Sequence, residues 1–397
     1  MKNLETLIQE LCPDGVEYVK LGEVLGYEQP SKYIVKSKDY ITEGLPVLTA
    51  GQTFILGYTD ETDGVFHASA DNPVIIFDDF TTSFHWVEFD FKVKSSAMKM
   101  LRVNSEREVS FRFVYYAMKC IKYQSMEHSR QWISKYSQIE IPLPPLEVQT
   151  EIVRILDKFT SLEAELEAEL DCRKRQYEYY RDKLLSFENA GGQEVEWKKM
   201  SEVCEIKGRI GFRGYTRNDL VLKGEGAISM SPSNIVNGVL SFEDNTYLSW
   251  EKYEESPEIM AKVGNIVFTK TGSTVGKTAL IKELPQECTI NPQLVLITCK
   301  ECNNRYLTHV MQDTRFQVQV RKFAGIGSVP NISQKALAGI LVPVPTANIQ
   351  EKIANILDRF ESLTTSLQSG LPAEIAARRQ QYEYYRDKLL TFKRKAS

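Results

Sequence analysis

No apolar run in this 397-residue chain approaches the roughly 20 residues needed to cross a bilayer. Its opening stretch, MKNLETLIQELCPDG, reads as an amphipathic helix rather than a secretion signal, so the expected location is cytoplasmic. Cysteine is sparse, and the seven present are odd in number and irregular in spacing, which excludes a disulfide framework and implies free thiols. Cys299 and Cys302 form one C-x-x-C with Cys288 and His309 nearby, but no second paired motif exists and a zinc site is set aside. The four histidines, His67, His85, His128 and His309, form no visible pair or triad. No excess of one charge is present: 49 basic residues against 53 acidic give a net charge of −4, so any surface for nucleic acid must be local.

Motifs for catalysis are equally thin. Gly272 to Thr278, GSTVGKT, resembles a phosphate-binding loop, but Thr271 stands where the motif requires glycine. The residues that follow read as strands and turns rather than as the helix that would cradle phosphate. Neither a glycine-rich cofactor loop nor a base-flipping N-P-P-Y motif is found. Asn291-Pro292-Gln293 is the nearest and lacks the stacking aromatic. Asp78 or Asp79 with Asp90 and Lys92 could hold Mg²⁺ for a nuclease, yet acids and bases alternating along a strand usually mark its solvent face, and the second half of the chain has no counterpart.

What is present is a tandem duplication. RQYEYYRDKLLSF, from Arg175 to Phe187, returns as RQQYEYYRDKLLTF from Arg379 to Phe392. Pro142, Pro144, Gln149, Ile152, Ile155, Leu156, Asp157, Phe159, Ser161 and Leu162 recur 201 positions later, from Pro343 and Pro345 to Leu363. At the front of each unit VEYVKLGEV, from Val16, matches VEWKKMSEV, from Val195. Between these ends the units share little, a pattern of two readers on one symmetric frame.

The closing segments read as long helices. Apolar residues from Ile152 through Leu156, Phe159, Tyr177, Tyr180 and Leu184 step by three and four, and the second copy repeats this through Ile353, Leu357, Phe360, Tyr382, Tyr385 and Leu389. The first would be a rod of roughly 50 Å. Gly370 and Pro372 are expected to kink or interrupt the second. Matching stripes predict an antiparallel, coiled-coil-like pair. A smaller repeat, EAEL twice from Glu163 to Leu170, could act as a ruler, because one tetrad changes the rod by about 6 Å while turning it by only about 40°.

The middles read as mixed α and β, with short β-rich runs such as PVIIFDDF and NIVFTK that empty into small polar loops. Residue types suited to DNA gather there: Lys36, Lys38, Gln52, Thr81, Thr82, Ser83, Lys94, Ser95 and Ser96 in the first middle. The second offers Lys207, Arg209, Arg213, Arg217, Lys270, Thr271, Ser273, Lys277, Asn291, Gln293 and Arg321. Arg, Asn and Gln can read base edges while Lys, Ser and Thr hold phosphates.

The P-x-P segments before a Gln-containing helix, the EAEL tetrads, the QYEYYRDKLL endings and GNIVFTKTGSTVGK together resemble the specificity subunit of a type I restriction-modification system. The resemblance covers essentially the whole chain. It implies an α+β architecture: two mixed α/β target recognition domains, separated by two long antiparallel helices in a pseudo-two-fold tandem repeat. The expected segments are 1–141 and 189–342 as recognition domains, and 142–188 and 343–397 as spacer helices. It further implies a non-catalytic subunit whose domains each read one half of a split, asymmetric DNA target. The helices, through Gln149, Ile152, Leu156, Phe159, Tyr177, Tyr180 and Leu184 and through Gln350, Ile353, Leu357, Phe360, Tyr382, Tyr385 and Leu389, would dock two modification subunits, with restriction subunits joining them. S-adenosylmethionine, ATP and Mg²⁺ would belong to those partners, and none to this chain. Two other readings stand beside it: a DNA-processing enzyme with its own metal site near Asp78 and Asp90, and a stand-alone DNA-binding regulator.

Overall fold

The computed structural model describes residues 4–395 apart from 52, 105, 124–128, 188–194, 212–213, 326–328 and 367–369. The chain folds into two compact units: residues 1–164 with 377–397, and residues 165–376. Each unit takes part of both long helical segments. The helices of eight residues or more are numbered here in chain order: α1 Leu4–Leu11, α2 Phe111–Lys119, α3 Leu146–Leu184, α4 Asn304–Gln312, α5 Thr314–Ala324, α6 Ala347–Thr365 and α7 Leu371–Leu389.

In the first unit Glu17–Lys20 pairs antiparallel with Glu140–Leu143, joining the beginning of the globular module to its end. Between them lies a four-stranded antiparallel sheet in the order Leu25–Glu28, Met98–Val103, Val74–Asp78, Phe84–Val87. A three-stranded sheet, Ile55–Thr59, Leu45–Leu48, Lys92–Val93, stands beside it, with the last pair parallel. The run Val74–Phe77 is wholly buried because its alternate side chains serve two cores. Ile75 and Phe77 pack with Trp132 and Tyr136, whereas Val74 and Ile76 pack with Leu48, Phe66 and Phe91.

The second unit repeats this topology in an unlike sequence. Glu196–Lys199 pairs with Leu341–Val344. The four-stranded sheet runs Cys204–Lys207, Leu294–Cys299, Ile266–Thr269, Thr278–Leu280, the same order by position as in the first unit. The neighbouring sheet again contains one parallel pair, here Gly226–Met230 with Cys288–Ile290, and gains an extra edge strand, Leu220–Val221. Helix α5 has no counterpart among the described residues of the first unit.

Both long segments are helical as the stripe predicts. The second copy is interrupted: α6 ends at Thr365 and α7 begins at Leu371, with Pro372 in its first turn, where a missing N–H costs nothing. Within each unit the segments pair antiparallel through equivalent residues. Phe159 stacks on Tyr385 at 5.5 Å in the first unit, and Phe360 stacks on Tyr180 at 5.6 Å in the second. The segment after α7 also returns to the start of the first unit, where Val16 N–H donates to Lys393 O and Lys395 N–H donates to Val16 O. Gly15, at φ +98°, passes so close to Lys393 that a Cβ there would strike its carbonyl.

Candidate nucleic-acid interface and the helix braces beneath it

Three loops converge at one end of each unit's paired sheets, and equivalent backbone hydrogen bonds hold them. In the first unit Lys94 N–H donates to Leu48 O (3.1 Å), Asp79 N–H to Ala97 O (2.8 Å) and Gln131 N–H to Asp79 O (2.7 Å). In the second, Asn291 N–H donates to Met230 O (2.8 Å), Lys270 N–H to Gln293 O (2.8 Å) and Ile332 N–H to Lys270 O (2.9 Å). By these bonds Asp79 matches Lys270 and Ala97 matches Gln293, so the turn after Asp79, with Thr81 and Ser83, stands where the turn that begins at Thr271 stands, and Lys94 to Ala97 stand where Asn291 to Gln293 stand.

Most of the sequence-selected polar residues fall on these loops. Thr81, Lys94 and Ser96 are exposed and Ser83 and Ser95 half-buried. The turn is held by Asp78, whose carboxylate accepts the N–H groups of Phe80 and Thr81. Thr82, at φ 60°, folds its hydroxyl back to Thr81 O and is buried, so it shapes the turn rather than facing outward. The Ile34–Val35 segment pairs with Val93 and carries exposed Lys36 and Lys38 along the same sheet edge. In the second unit Gln293 is exposed and Lys270, Thr271 and Asn291 are half-buried. Thr271 Oγ1 is 2.6 Å from Asn331 Oδ1. Gln52 and Arg213 lie outside the described residues.

Several candidates sit elsewhere. Arg209 is buried at 6% exposure: it donates to Ile290 O and to the hydroxyls of Ser256 and Thr289, and its guanidinium lies 5.1 Å from the ring of Tyr215. Burial lowers its pKa from the ordinary arginine value. Arg209 thus ties strands together beneath the Asn291 loop, a role its i, i+4 spacing from Arg213 does not reveal. Lys277 donates to Ile235 O, and with Ser273 it lines a cavity of about 700 Å³ beside Tyr177 and Arg181 rather than joining Lys270. Lys207 pairs with Glu205, while Arg217 and Arg321 are exposed on a helical turn and on α5.

The carboxylates of the nuclease reading are held by separate partners. Asp79 is buried with Lys99 at 3.3 Å, Asp90 binds His67 at 2.8 Å, and Lys92 is buried against Glu61 at 3.0 Å. Among the described residues no group of three His, Cys, Asp or Glu could hold a metal ion. Arg130, which sequence reasoning missed, sits exposed at the rim of the first unit's loops, 4.0 Å from Asp79.

The helix residues divide into two kinds. Gln149, Ile152, Leu156, Gln350, Ile353 and Leu357, expected to face partners, are buried in this chain's own cores. Gln149 accepts from Ser110 N–H, the N-cap of α2, and donates to Pro144 O. Gln350 does the same for Asn303, the N-cap of α4, and for Pro345. A shared brace follows about two turns later. Arg112 and Tyr116 both donate to Asp157, and Arg305 and His309 both contact Asp358. Burial would raise the Asp358 pKa, but the hydrogen bond and charge of His309, with Arg305 and Lys282, hold it below the ordinary value. Tyr177 meets His309 Nδ1 at 2.9 Å and donates to Gln312. Tyr180 and Tyr385 remain 37% exposed, while Phe159, Phe360, Tyr382, Leu184 and Leu389 are half-buried.

Comparison with known proteins gives one consistent result. The model of the type I restriction modification DNA specificity domain matches residues 13–171 and again 193–377. The specificity subunit of the Escherichia coli type I restriction enzyme EcoR124I/EcoR124II is 42% identical, over 99% of this chain and 97% of its own length. Two solved structures share the fold at a TM-score of 0.54 each. The S subunit of a type I restriction-modification system from M. genitalium is 14% identical, with 95% of this chain and 96% of its own covered. A chain from a structural study of complex assembly and conformational transition of the type I R-M system is 17% identical, with 96% and 98% covered.

Proposed function

Because this chain belongs to the type I restriction-modification DNA specificity family, we propose that it reads a split, asymmetric DNA target, one half with each unit, and scaffolds the subunits that act on it. The observation that carries this reading is the pair of equivalent loop clusters, Thr81–Ser83 with Lys94–Ser96 and Lys270–Thr271 with Asn291–Gln293. They share a backbone frame and differ in side chains. An identical frame with unlike polar tips is what two half-sites of different sequence require, since side chains at base edges specify while backbone geometry positions. In this reading the chain is non-catalytic, and S-adenosylmethionine, ATP and Mg²⁺ act on the modification and restriction subunits.

The spacer helices set the gap between half-sites, and the EAEL tetrads of α3 set its length. Of the helix residues expected to face partners, Tyr180 and Tyr385 are the most exposed and so the best placed to meet modification subunits.

The test is to co-express the chain with a modification subunit and map methylated bases across host DNA. A split motif modified on both strands and lost when this chain is deleted supports the reading. Methylation that is unchanged by the deletion removes it. Deleting one EAEL tetrad should alter the gap and leave both half-sites intact, and an unaltered gap defeats the ruler.

A further inference from the structure

The backbone bonds that match the two units bring one more pair of residues into register. Gln131 N–H donates to Asp79 O in the first unit and Ile332 N–H donates to Lys270 O in the second, so Arg130 stands where Asn331 stands. Each is an exposed tip between fixed neighbours. In the first unit Gln131 is wholly buried, and its side-chain amide donates to Ser129 O at 2.7 Å and to Ser129 Oγ at 3.0 Å. Trp132 N–H, on the far side, donates to the Asp79 carboxylate at 2.8 Å. In the second unit Ile332 is wholly buried, and Gly272 N–H donates to Pro330 O at 2.9 Å. The main chain is thus anchored on both sides of a side chain left in solvent, with Arg130 58% exposed and Asn331 exposed as well.

Each tip is also tethered from the loop beneath it. The Asp79 carboxylate lies 4.0 Å from Arg130 Nε, and the Thr271 hydroxyl donates to Asn331 Oδ1 at 2.6 Å. The second contact fixes which end of the amide is oxygen and which is nitrogen, and Oδ1 keeps another lone pair beside the Nδ2 donors. The two tips therefore offer different patterns. A guanidinium carries donors alone, which suits N7 and O6 of guanine and fails against the N6 amino group of adenine. An amide carries one donor group and one acceptor, which suits adenine N7 and N6. A side chain already held in place loses less rotamer freedom when it binds.

We propose that Arg130 and Asn331 are equivalent base-reading positions: Arg130 selects a guanine in the half-site of the first unit and Asn331 an adenine in the half-site of the second, with Asp79 and Thr271 as positioning residues. The proposal rests on the DNA-reading function above and adds the residue and the base to it. One place in a shared frame then carries two specificities through a single side chain and its tether.

The experiment maps methylation in cells that co-express the full chain with its modification subunit, then measures competition binding of the purified complex against duplexes bearing each base pair at every half-site position. Arg130→Ala should cut the preference for one guanine in the first half-site about tenfold or more and leave the second half-site unaltered. Asn331→Ala should do the same for one adenine in the second half-site alone. Both side chains are exposed, so folding is not at risk. Arg130→Gln should move the preference at its position from guanine to adenine. Thr271→Val should relax the same adenine position less than Asn331→Ala does, and Thr271→Ser should restore it, a rescue at one base pair that a general loss of structure does not give. Variants whose motifs match that of the parent chain overturn the proposal. So does a loss that is equal on all sequences with a shallower salt dependence, the mark of a phosphate contact. Relaxation at a position occupied by a different base overturns the base assignment. A parent chain that yields no split motif defeats the proposed function itself, whereas a split motif indifferent to these variants removes only the roles of Arg130 and Asn331.

Discussion

Asp79 and Lys270 occupy the same place in the two units, between the same pair of backbone hydrogen bonds, and do opposite things. Asp79 turns inward at 2% exposure, accepts from Trp132 N–H and pairs with buried Lys99. Lys270 stays half-buried at the rim, next to Thr271 and Gln293. One position thus serves as an internal anchor in one unit and a surface cation in the other. The frame tolerates either because the same main-chain bonds tie the loops together in both units. Specificity can therefore change at the tips without rebuilding the sheets.

The largest expected effect tests whether the frame is as equivalent as it looks. Leu156→Ala and Leu357→Ala should each cost about 2–5 kcal/mol, since both side chains are fully buried at matching points. Chemical denaturation of the two variants that gave widely unequal losses would break the symmetry at its core. Next, Arg209→Ala should lower stability by about 1–3 kcal/mol by leaving buried acceptors unpaired. A weakened second half-site with stability intact would instead return Arg209 to the DNA surface.

Tip substitutions sharpen the contrast between units. Gln293→Ala should cost about 1–3 kcal/mol at the second half-site alone if Gln293 makes a bidentate base contact, whereas Lys94→Ala should weaken binding on all sequences if Lys94 holds a phosphate. Competition assays with one half-site altered at a time separate the two outcomes, and equal loss at both half-sites with Gln293→Ala would refute independent readers. The smallest effect is in pH. With its folded pKa held below 3.8, Asp358 contributes stability that is present above 3.8 and lost as pH falls through the depressed value. Asp358→Asn should remove that part of the acid dependence, and an unchanged acid limb in a denaturation series would show that the brace of Arg305 and His309 is not coupled to folding.

Much of this was legible in the residues. The repeat at offsets of 201 and 179, the helical stripes, the break near Gly370 and the polar loops after IIFDDF and IVFTK all appear where local pattern points. Local pattern could not show that Gln149 and Gln350 brace the caps of α2 and α4, because their partners Ser110 and Asn303 are 39 and 47 residues away and unlike in type. Nor could it separate Arg209 from the exposed basic residues. Burial of an arginine depends on the strand Cys288–Ile290, some 80 residues away, which approaches it only in the folded chain.

The amino-acid sequence alone determined the duplication, the family and the two long helices, since repetition and the 3.6-residue period are properties of a linear string. Tertiary structure alone decided that the two dissimilar middles share one strand order, and that Asp79 is buried where Lys270 is not. Each of these depends on which distant segments exclude water from one another, and burial is a property of the packed chain rather than of any residue within it.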